Sequence, residues 1–293
     1  MTVVLGYLAG KGGAAALHLA VGAARTLKAS LAVATVVPQP WLNPSPARVD
    51  AEYAQYAAQL AASSAEQARA HVAALDDRLD VSFHKFAHRS VPGGLLEAVA
   101  TLDAELLVLG SAADGQLGQV VVGSTADRLL HSCPVPLAIS PRGYRRPKSG
   151  ALVRITCAYP GSPEAVPVVG QVSELSRRLG TPMRVVTFAV RGRNMYPPTV
   201  GLHAEDAVLG EWVKQARRAL ARLKADGVVG DDVEQQVVTG NDWSEALDAT
   251  DWLEGEILAI GTSPGGAAAR VFLGSHGSKI LRHSPVPVLV LPG

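Results

Sequence analysis

One pattern occurs twice in this chain at a fixed offset, and that duplication constrains the fold more than any other feature. Leu106-Leu107-Val108-Leu109-Gly110, a glycine-bearing loop, Gly123-Ser124 and Pro134-Val135-Pro136 form the first copy. Ile257-Leu258-Ala259-Ile260-Gly261, a second such loop, Gly274-Ser275 and Pro285-Val286-Pro287 form the other. Gly110 and Gly261, Gly123 and Gly274, and Pro134 and Pro285 each lie 151 residues apart. A period of that length is too long for a solenoid and fits a duplicated whole domain. The 293 residues therefore divide into domains over 1–141 and 151–293. A domain of this size buries roughly 70% of its unfolded surface, so neither half needs a metal or a disulfide to fold. Aromatic residues are only 5% of a chain that is 48% hydrophobic, so the cores are built from Ala, Val and Leu.

Short apolar runs alternate with helical patterns in both halves. Strands are expected at Thr2–Tyr7, Leu31–Val37, Val81–Ala87, Leu106–Leu109 and Val135–Ser140. Helices are expected from the Ala9–Gly13 turn to about Lys28, over Val49–Leu75, over Gly94–Leu102 and from Ser124 to His131. The second half repeats the order with strands at Val153–Tyr159, Met183–Val190, Val233–Val238, Ile257–Ile260 and Val286–Leu291. Its helices follow Ser162, a capping residue with Pro163 after it, and span Ala204–Ala225 and Trp243–Leu253. This alternation implies an α/β fold, with parallel βαβ units in each half and helices on both faces of the sheet. The basic segment Pro141–Lys148, with Arg142, Arg145, Arg146 and Lys148, reads as a solvated linker, with an anion contact as the other reading.

In an open parallel sheet a ligand sits beyond the carboxyl ends of the strands, where the strand order reverses. The loop after the fourth strand ends at Gly123-Ser124 in one half and Gly274-Ser275 in the other, and each opens a helix. Unpaired amide N–H groups there face an anion, the serine hydroxyl adds a donor, and glycine lets the backbone approach phosphate.

A strand ending in Gly, two residues, Gly, nine residues, Gly-Ser/Thr, then a helix and a Pro-Val strand resembles the universal stress protein family. The resemblance covers essentially the whole chain as a tandem pair. The segments Leu-Leu-His-Ser-Cys-Pro-Val-Pro and Leu-Arg-His-Ser-Pro-Val-Pro before the last strands are typical of it. It implies, for each half, a five-stranded parallel sheet of the adenine-nucleotide alpha-hydrolase-like, Rossmann-like group. It also implies that ATP is the ligand to consider, since many such proteins bind it and many do not.

Position by position, the first glycine is present as Gly110 and Gly261, and the closing pair as Gly123-Ser124 and Gly274-Ser275. The middle position holds Ala113 and Pro264; if it needs φ > 0, Ala is strained there by ~1–2 kcal/mol and Pro is barred. Neighbouring Gly115 or Gly118, and Gly265 or Gly266, can shift the turn by one residue. Asp114 sits in the first loop and Arg270 in the second, so the second loop suits an anion better. The family's acidic residue after the first strand, which holds the nucleoside, is replaced by Leu8 and Pro160. By analogy, backbone at the end of the second strand, Val36 and Phe188, completes the nucleotide site. The Gly6–Gly13 segment mimics a Walker loop but has the wrong spacing and lacks its Ser/Thr; Lys11 is a solvated loop residue or a phosphate contact.

No catalytic constellation stands out. His84 and His88 share a strand face without a partner ligand, His131 and His283 suit helix carboxyl ends, and Trp243 and Trp252 read as packing residues. Cys133 and Cys157 read as reduced residues in a reducing compartment. A net charge of +1 gives no case for nucleic acid, no apolar run reaches the ~18 residues that span a bilayer, and the start has no signal-peptide pattern. The chain reads as cytoplasmic and non-enzymatic, with slow ATP hydrolysis a minor variant. Two functions stay open: a regulator that binds ATP or a related adenine nucleotide, and a stress-associated interaction protein that has lost the ligand. The last strands leave edges that could pair in an intramolecular pseudo-dimer, which could dimerise again.

Overall fold

A computed structural model describes residues 1–8, 13–39, 47–76, 78–112, 117–147, 150, 152–191, 202–264, 271–272 and 275–292. At 47–51, 53, 202–207, 263–264, 271–272 and 275 it describes the backbone alone. The chain divides into unit 1, Met1–Ala151, and unit 2, Leu152–Leu291.

Unit 1 runs β1 (Thr2–Gly6), α1 (Ala14–Leu27), β2 (Ser30–Pro38), α2 (Ala47–Leu75), β3 (Val81–His88), α3 (Val91–Thr101), β4 (Ala104–Gly110), α4 (Ser124–Leu130) and β5 (Leu137–Ser140). Its strands lie in the order β3-β2-β1-β4-β5, and every pair within it is parallel. Unit 2 runs β6 (Arg154–Ala158), a 3-10 turn (Pro163–Ala165), α5 (Val166–Leu179), β7 (Met183–Val190), α6 (Leu202–Ala225), β8 (Glu234–Gly240) and α7 (Trp243–Asp248). It continues through β9 (Glu256–Gly261), β10 (Ser263–Pro264), β11 (Val271–Phe272), α8 (Ser275–His283) and β12 (Val288–Leu291). Its parallel order, β12-β9-β6-β7-β8, repeats that of unit 1. The expected α/β class with helices on both faces is observed. Apolar runs without alternation mark the strands because both faces are covered: Val3–Leu5, Leu31–Ala34 and Leu258–Ile260 are all buried.

Several boundaries differ from the sequence reading, each for a local reason. The third helix starts at Val91, because Ser90 Oγ accepts from the Gly93 N–H and Pro92 occupies the first turn. Ser162 precedes a 3-10 turn and makes no side-chain cap; α5 begins only at Val166. The Trp243 helix stops at Asp248, and Thr250 donates its hydroxyl back to the Ala246 carbonyl. The last strands open after their prolines, at Leu137 and Val288.

The two units solve one packing problem in opposite ways. Where β3 meets α3, unit 1 has His88 on the strand and Gly94 on the helix. A Cβ on Gly94 would lie 2.6 Å from Val36 Cγ1 and 3.1 Å from His88 Cβ. At the positions 152 residues later, unit 2 has Gly240 on β8 and Ala246 on α7, and a Cβ on Gly240 would lie 2.6 Å from the Ala246 nitrogen. Each unit keeps one small residue at this contact and places it on the other element.

The basic segment is not a solvated linker along its length. Pro141 and Pro147 are buried, and Arg146 donates from its backbone to His18 Nδ1 (3.2 Å) and from Nη2 to the Leu75 carbonyl at the end of α2 (3.0 Å). The guanidinium thereby caps a helix carboxyl end.

A cleft at the switch point of unit 2

The strand order of unit 2 reverses between β6 and β9, and a cleft of about 240 Å³ opens at their carboxyl ends. This is where an open parallel sheet leaves a crevice between diverging connections. Its floor is Ala158, Tyr159, Ile260 and Gly261; Val168 and Ile280 add apolar wall, and Ser162, Glu164, Thr262 and His276 bring polar groups. Hydrogen bonds set these elements. The Tyr159 N–H donates to the Val186 carbonyl (2.8 Å), and Thr187 Oγ1 donates to the Tyr159 carbonyl (2.8 Å). Thr262 ties the start of the loop to the end of β12, giving both its N–H (3.0 Å) and its hydroxyl (3.1 Å) to the Leu291 carbonyl.

Three rings from three elements meet beside the cleft. Phe188, near the end of β7, lies 6.3 Å from Trp243, and Trp243 lies 5.3 Å from His276 in the first turn of α8, all tilted. Phe188 and His276 line the cleft, and Trp243 packs against both behind them, in keeping with a packing role. On the other side, Glu164 is held below the usual carboxylate range by its own backbone N–H and the Ser162 hydroxyl, so the rim carries a negative charge. Burial pushes the Tyr159 phenol up, with Arg222 opposing and Glu164 reinforcing.

The expected site residues are placed as follows. Gly261 and Phe188 line the cleft, and Ser275 opens α8. Gly265, Arg270 and Gly274 lie outside the described residues, as do Gly115, Ala113, Asp114 and Lys11. In unit 1, Gly110 ends β4, Gly123 precedes α4, Ser124 is its exposed first residue, and Val36 is buried near the end of β2. Gly261 has a packing role as well: a Cβ there would lie 2.5 Å from Val168 Cγ2, whereas at Gly110 the nearest atom is Ala16 Cβ at 3.4 Å.

The loop after the fourth strand starts as a hairpin in both units. Ser263 pairs with Phe272 and Pro264 with Val271, antiparallel, and 151 residues earlier the Ala112 N–H donates to the Val121 carbonyl (2.9 Å). Pro264 is therefore in extended backbone, not in the φ > 0 turn that would have barred it. In unit 1 the loop is pinned further: Gly118, at φ +82°, donates to the Arg142 carbonyl (2.9 Å), and Ser111 Oγ donates to the Ser140 carbonyl (2.8 Å).

Glu164 and His276 were not found from sequence. The one available signal for His276 was its place directly after the Gly-Ser pair. Two further histidines have local partners: His84 Nε2 lies 2.8 Å from Ser82 Oγ, and His88 Nδ1 accepts from the Ser90 N–H (3.0 Å). His131 caps α4 and His283 ends α8. Among the described residues no group of three or more His, Cys, Asp or Glu could hold a metal ion, and no helix is long and apolar enough to cross a membrane.

Comparison with known proteins places this geometry. The profile of the universal stress protein family matches residues 1–141 and 153–292. Universal stress proteins of Mycobacterium tuberculosis strain H37Rv and of Mycobacterium bovis are each 59% identical over 293 residues, covering 100% of both chains. Among solved structures, a universal stress protein from Archaeoglobus fulgidus aligns over 99% of this chain and 98% of its own with TM-score 0.59 at 16% identity. A functionally unknown protein from Pseudomonas aeruginosa aligns over 99% and 92% with TM-score 0.59 at 13% identity. The chain belongs to the universal stress protein family and carries two tandem copies of its domain.

Proposed function

We propose that the unit 2 cleft binds an adenine nucleotide and that the chain acts as a nucleotide-responsive regulator in the stress response. The observation that carries this reading is the cleft at the β6/β9 switch point, lined by the Phe188 and His276 rings with Trp243 packed against both, and with an ionised carboxylate on its rim. Rings at that spacing offer a face to a purine. Glu164 stands four residues beyond Pro160, where the family's acidic residue is missing, and accepts from ribose hydroxyls or an exocyclic amine. The cleft is smaller than the ~300–1,000 Å³ typical of ligand sites, so the nucleoside end fills it and phosphates extend toward Ser275. The role is binding rather than catalysis.

The test is a thermal-shift titration of ATP, AMP and adenosine against the full chain, His276→Ala and Glu164→Gln. Both side chains are exposed, so the variants should fold. Ligand at 100 times its dissociation constant adds about 2.7 kcal/mol to the native state, which is readily visible. A shift in the parent that is reduced in both variants supports the reading; no shift with any of the three overturns it. The second reading, a partner-binding protein without a ligand, is favoured by Pro160 at the nucleoside position and is what the second outcome would select. Dimerisation belongs to either reading and is measured by light scattering with and without ATP.

A further inference from the structure

The segment Pro141–Pro147 is anchored at Arg142 by backbone bonds to Gly118 and Gln119, and its Arg145–Pro147 end is fastened to α1 and α2 of unit 1 through Arg146. Arg146 gives its backbone N–H to His18 Nδ1 (3.2 Å) and its Nη2 to the Leu75 carbonyl (3.0 Å). Its stem passes over Gly22, where a Cβ would lie 3.5 Å from Arg146 Cδ. Arg146 Nη1 is buried with no hydrogen-bond partner among the described residues. The acceptor role of Nδ1 puts the proton of neutral His18 on Nε2.

Beside burial, the charges that oppose protonation of His18 come from the segment, where Arg145 and Arg146 face it, and from α2, where His71 does. Nearby, Arg25 of α1 is paired with Asp76 beyond α2 (3.0 Å), which leaves that carboxylate committed. Among the described residues no free acid is placed to welcome a charge on His18.

We propose that His18 is a pH-dependent latch: in its neutral form it fastens the Arg145–Pro147 end of this strap to unit 1, and on protonation it releases that end while Arg142 stays anchored. Protonation replaces the Nδ1 lone pair with an N–H that points at the Arg146 N–H, so the hydrogen bond is lost and two donors oppose each other. The new imidazolium also repels the guanidiniums of Arg145 and Arg146, and that part of the strap moves off α1 and α2. The protein thereby carries an acid-sensitive element outside the cleft, independent of whether the cleft binds nucleotide.

The experiment is hydrogen exchange of the full chain, read by mass spectrometry on peptides covering 141–147, at about pH 7.5 and about pH 5 with intrinsic rates corrected. Amides at the Arg145–Pro147 end in the parent should exchange about tenfold faster at the lower pH, the effect of one lost hydrogen bond, while β1 and β4 amides stay protected. His18→Asn keeps an acceptor the same number of bonds from the backbone but cannot titrate, and its strap should stay protected at both values. His18→Leu should expose that end at both. His71→Gln removes one opposing charge and should move release to higher pH. Strap protection in the parent that does not change between the two pH values, or that falls equally in His18→Asn, overturns the proposal. The parent comparison alone decides this if a variant fails to fold.

Discussion

Arg184 and Glu256 meet in full burial, Nη2 to Oε1 at 2.9 Å, at the amino ends of β7 and β9. Around them Arg154 Nη2 reaches Glu256 Oε2 (2.8 Å), Arg184 Nε donates to Thr156 Oγ1 (3.0 Å), and Thr156 in turn donates to Glu256. The Leu253 N–H adds another bond to the carboxylate (2.9 Å), and the Arg184 guanidinium lies 5.5 Å from the Trp252 ring centre. Among the described residues unit 1 has no counterpart: the register positions matching Thr156 and Arg184 are Val4 and Ala32, and Glu105, 151 residues before Glu256, is exposed. The same fold thus holds with an apolar filling at this place, and the ionic cluster is particular to unit 2.

Removing one partner of such a pair strands the other charge in the core, so Glu256→Ala should destabilise unit 2 by about 3–5 kcal/mol. Replacing both, as in Arg184→Met with Glu256→Leu, imitates the apolar solution of unit 1 and should recover much of that loss. Urea unfolding of the single and double variants measures both. A double variant no more stable than Glu256→Ala would show that the charges are needed for the fold of unit 2 rather than merely paired within it.

The same carboxylate sets an acid limit. Burial alone would raise the Glu256 carboxyl, but hydrogen bonds from Arg154, Thr156 and the Leu253 N–H, with the charge of Arg184, hold it below the usual range. A group depressed on folding contributes its stability above the unfolded value, about 4.3 for glutamate, and loses it as pH falls through the folded value. The midpoint of urea unfolding should therefore decline steeply below about pH 4 in the parent and less steeply in the Arg184→Met, Glu256→Leu variant. Parallel pH profiles would count against the cluster as the cause.

The repeat made the strands and helices of both units legible, because apolar runs and their spacing are local properties. Met183–Val190 reads as a strand in spite of Arg184, yet nothing near Arg184 in sequence says that it is buried, since its carboxylate is 72 residues away. The cleft was legible in the same partial way. Gly261 follows from motif spacing and Phe188 from the family resemblance, whereas Glu164 joins the cleft only through the turn after β6. Pro264 shows the converse: a motif position that would bar proline if it needed φ > 0 is an extended strand, and it pairs with Val271.

Gly261 and Gly110 occupy the same place in the repeat but should respond differently to a methyl group. At Gly261 the added Cβ meets Val168 Cγ2 at 2.5 Å, and overpacking of this kind costs about 1–3 kcal/mol. At Gly110 it meets Ala16 Cβ at 3.4 Å, ordinary contact, and the change should stay within about 0.5 kcal/mol. Combining Gly261→Ala with Val168→Ala should relieve the clash. Unfolding curves decide the matter, and equal losses at both glycines would mean that something other than Val168 constrains Gly261.

Gly240 and Gly94 offer a sharper comparison, because the obstacle differs in kind. A Cβ on Gly94 runs into side chains, Val36 Cγ1 at 2.6 Å and His88 Cβ at 3.1 Å. A Cβ on Gly240 runs into the backbone of α7, the Ala246 nitrogen at 2.6 Å and its Cα at 2.9 Å. The Val36 methyls can rotate away and His88 Cβ, at 3.1 Å, needs to give only slightly, but the α7 backbone moves only if the helix moves with it. Gly240→Ala should therefore cost more than Gly94→Ala, by about 1 kcal/mol or more. It should also shift α7, and with α7 the Trp243 ring that meets Phe188 and His276 beside the cleft. Tryptophan fluorescence should then change in Gly240→Ala and hold steady in Gly94→Ala. If both variants unfold alike and leave the fluorescence of the folded protein unchanged, the close approach of α7 to β8 is not what positions the Trp243 ring.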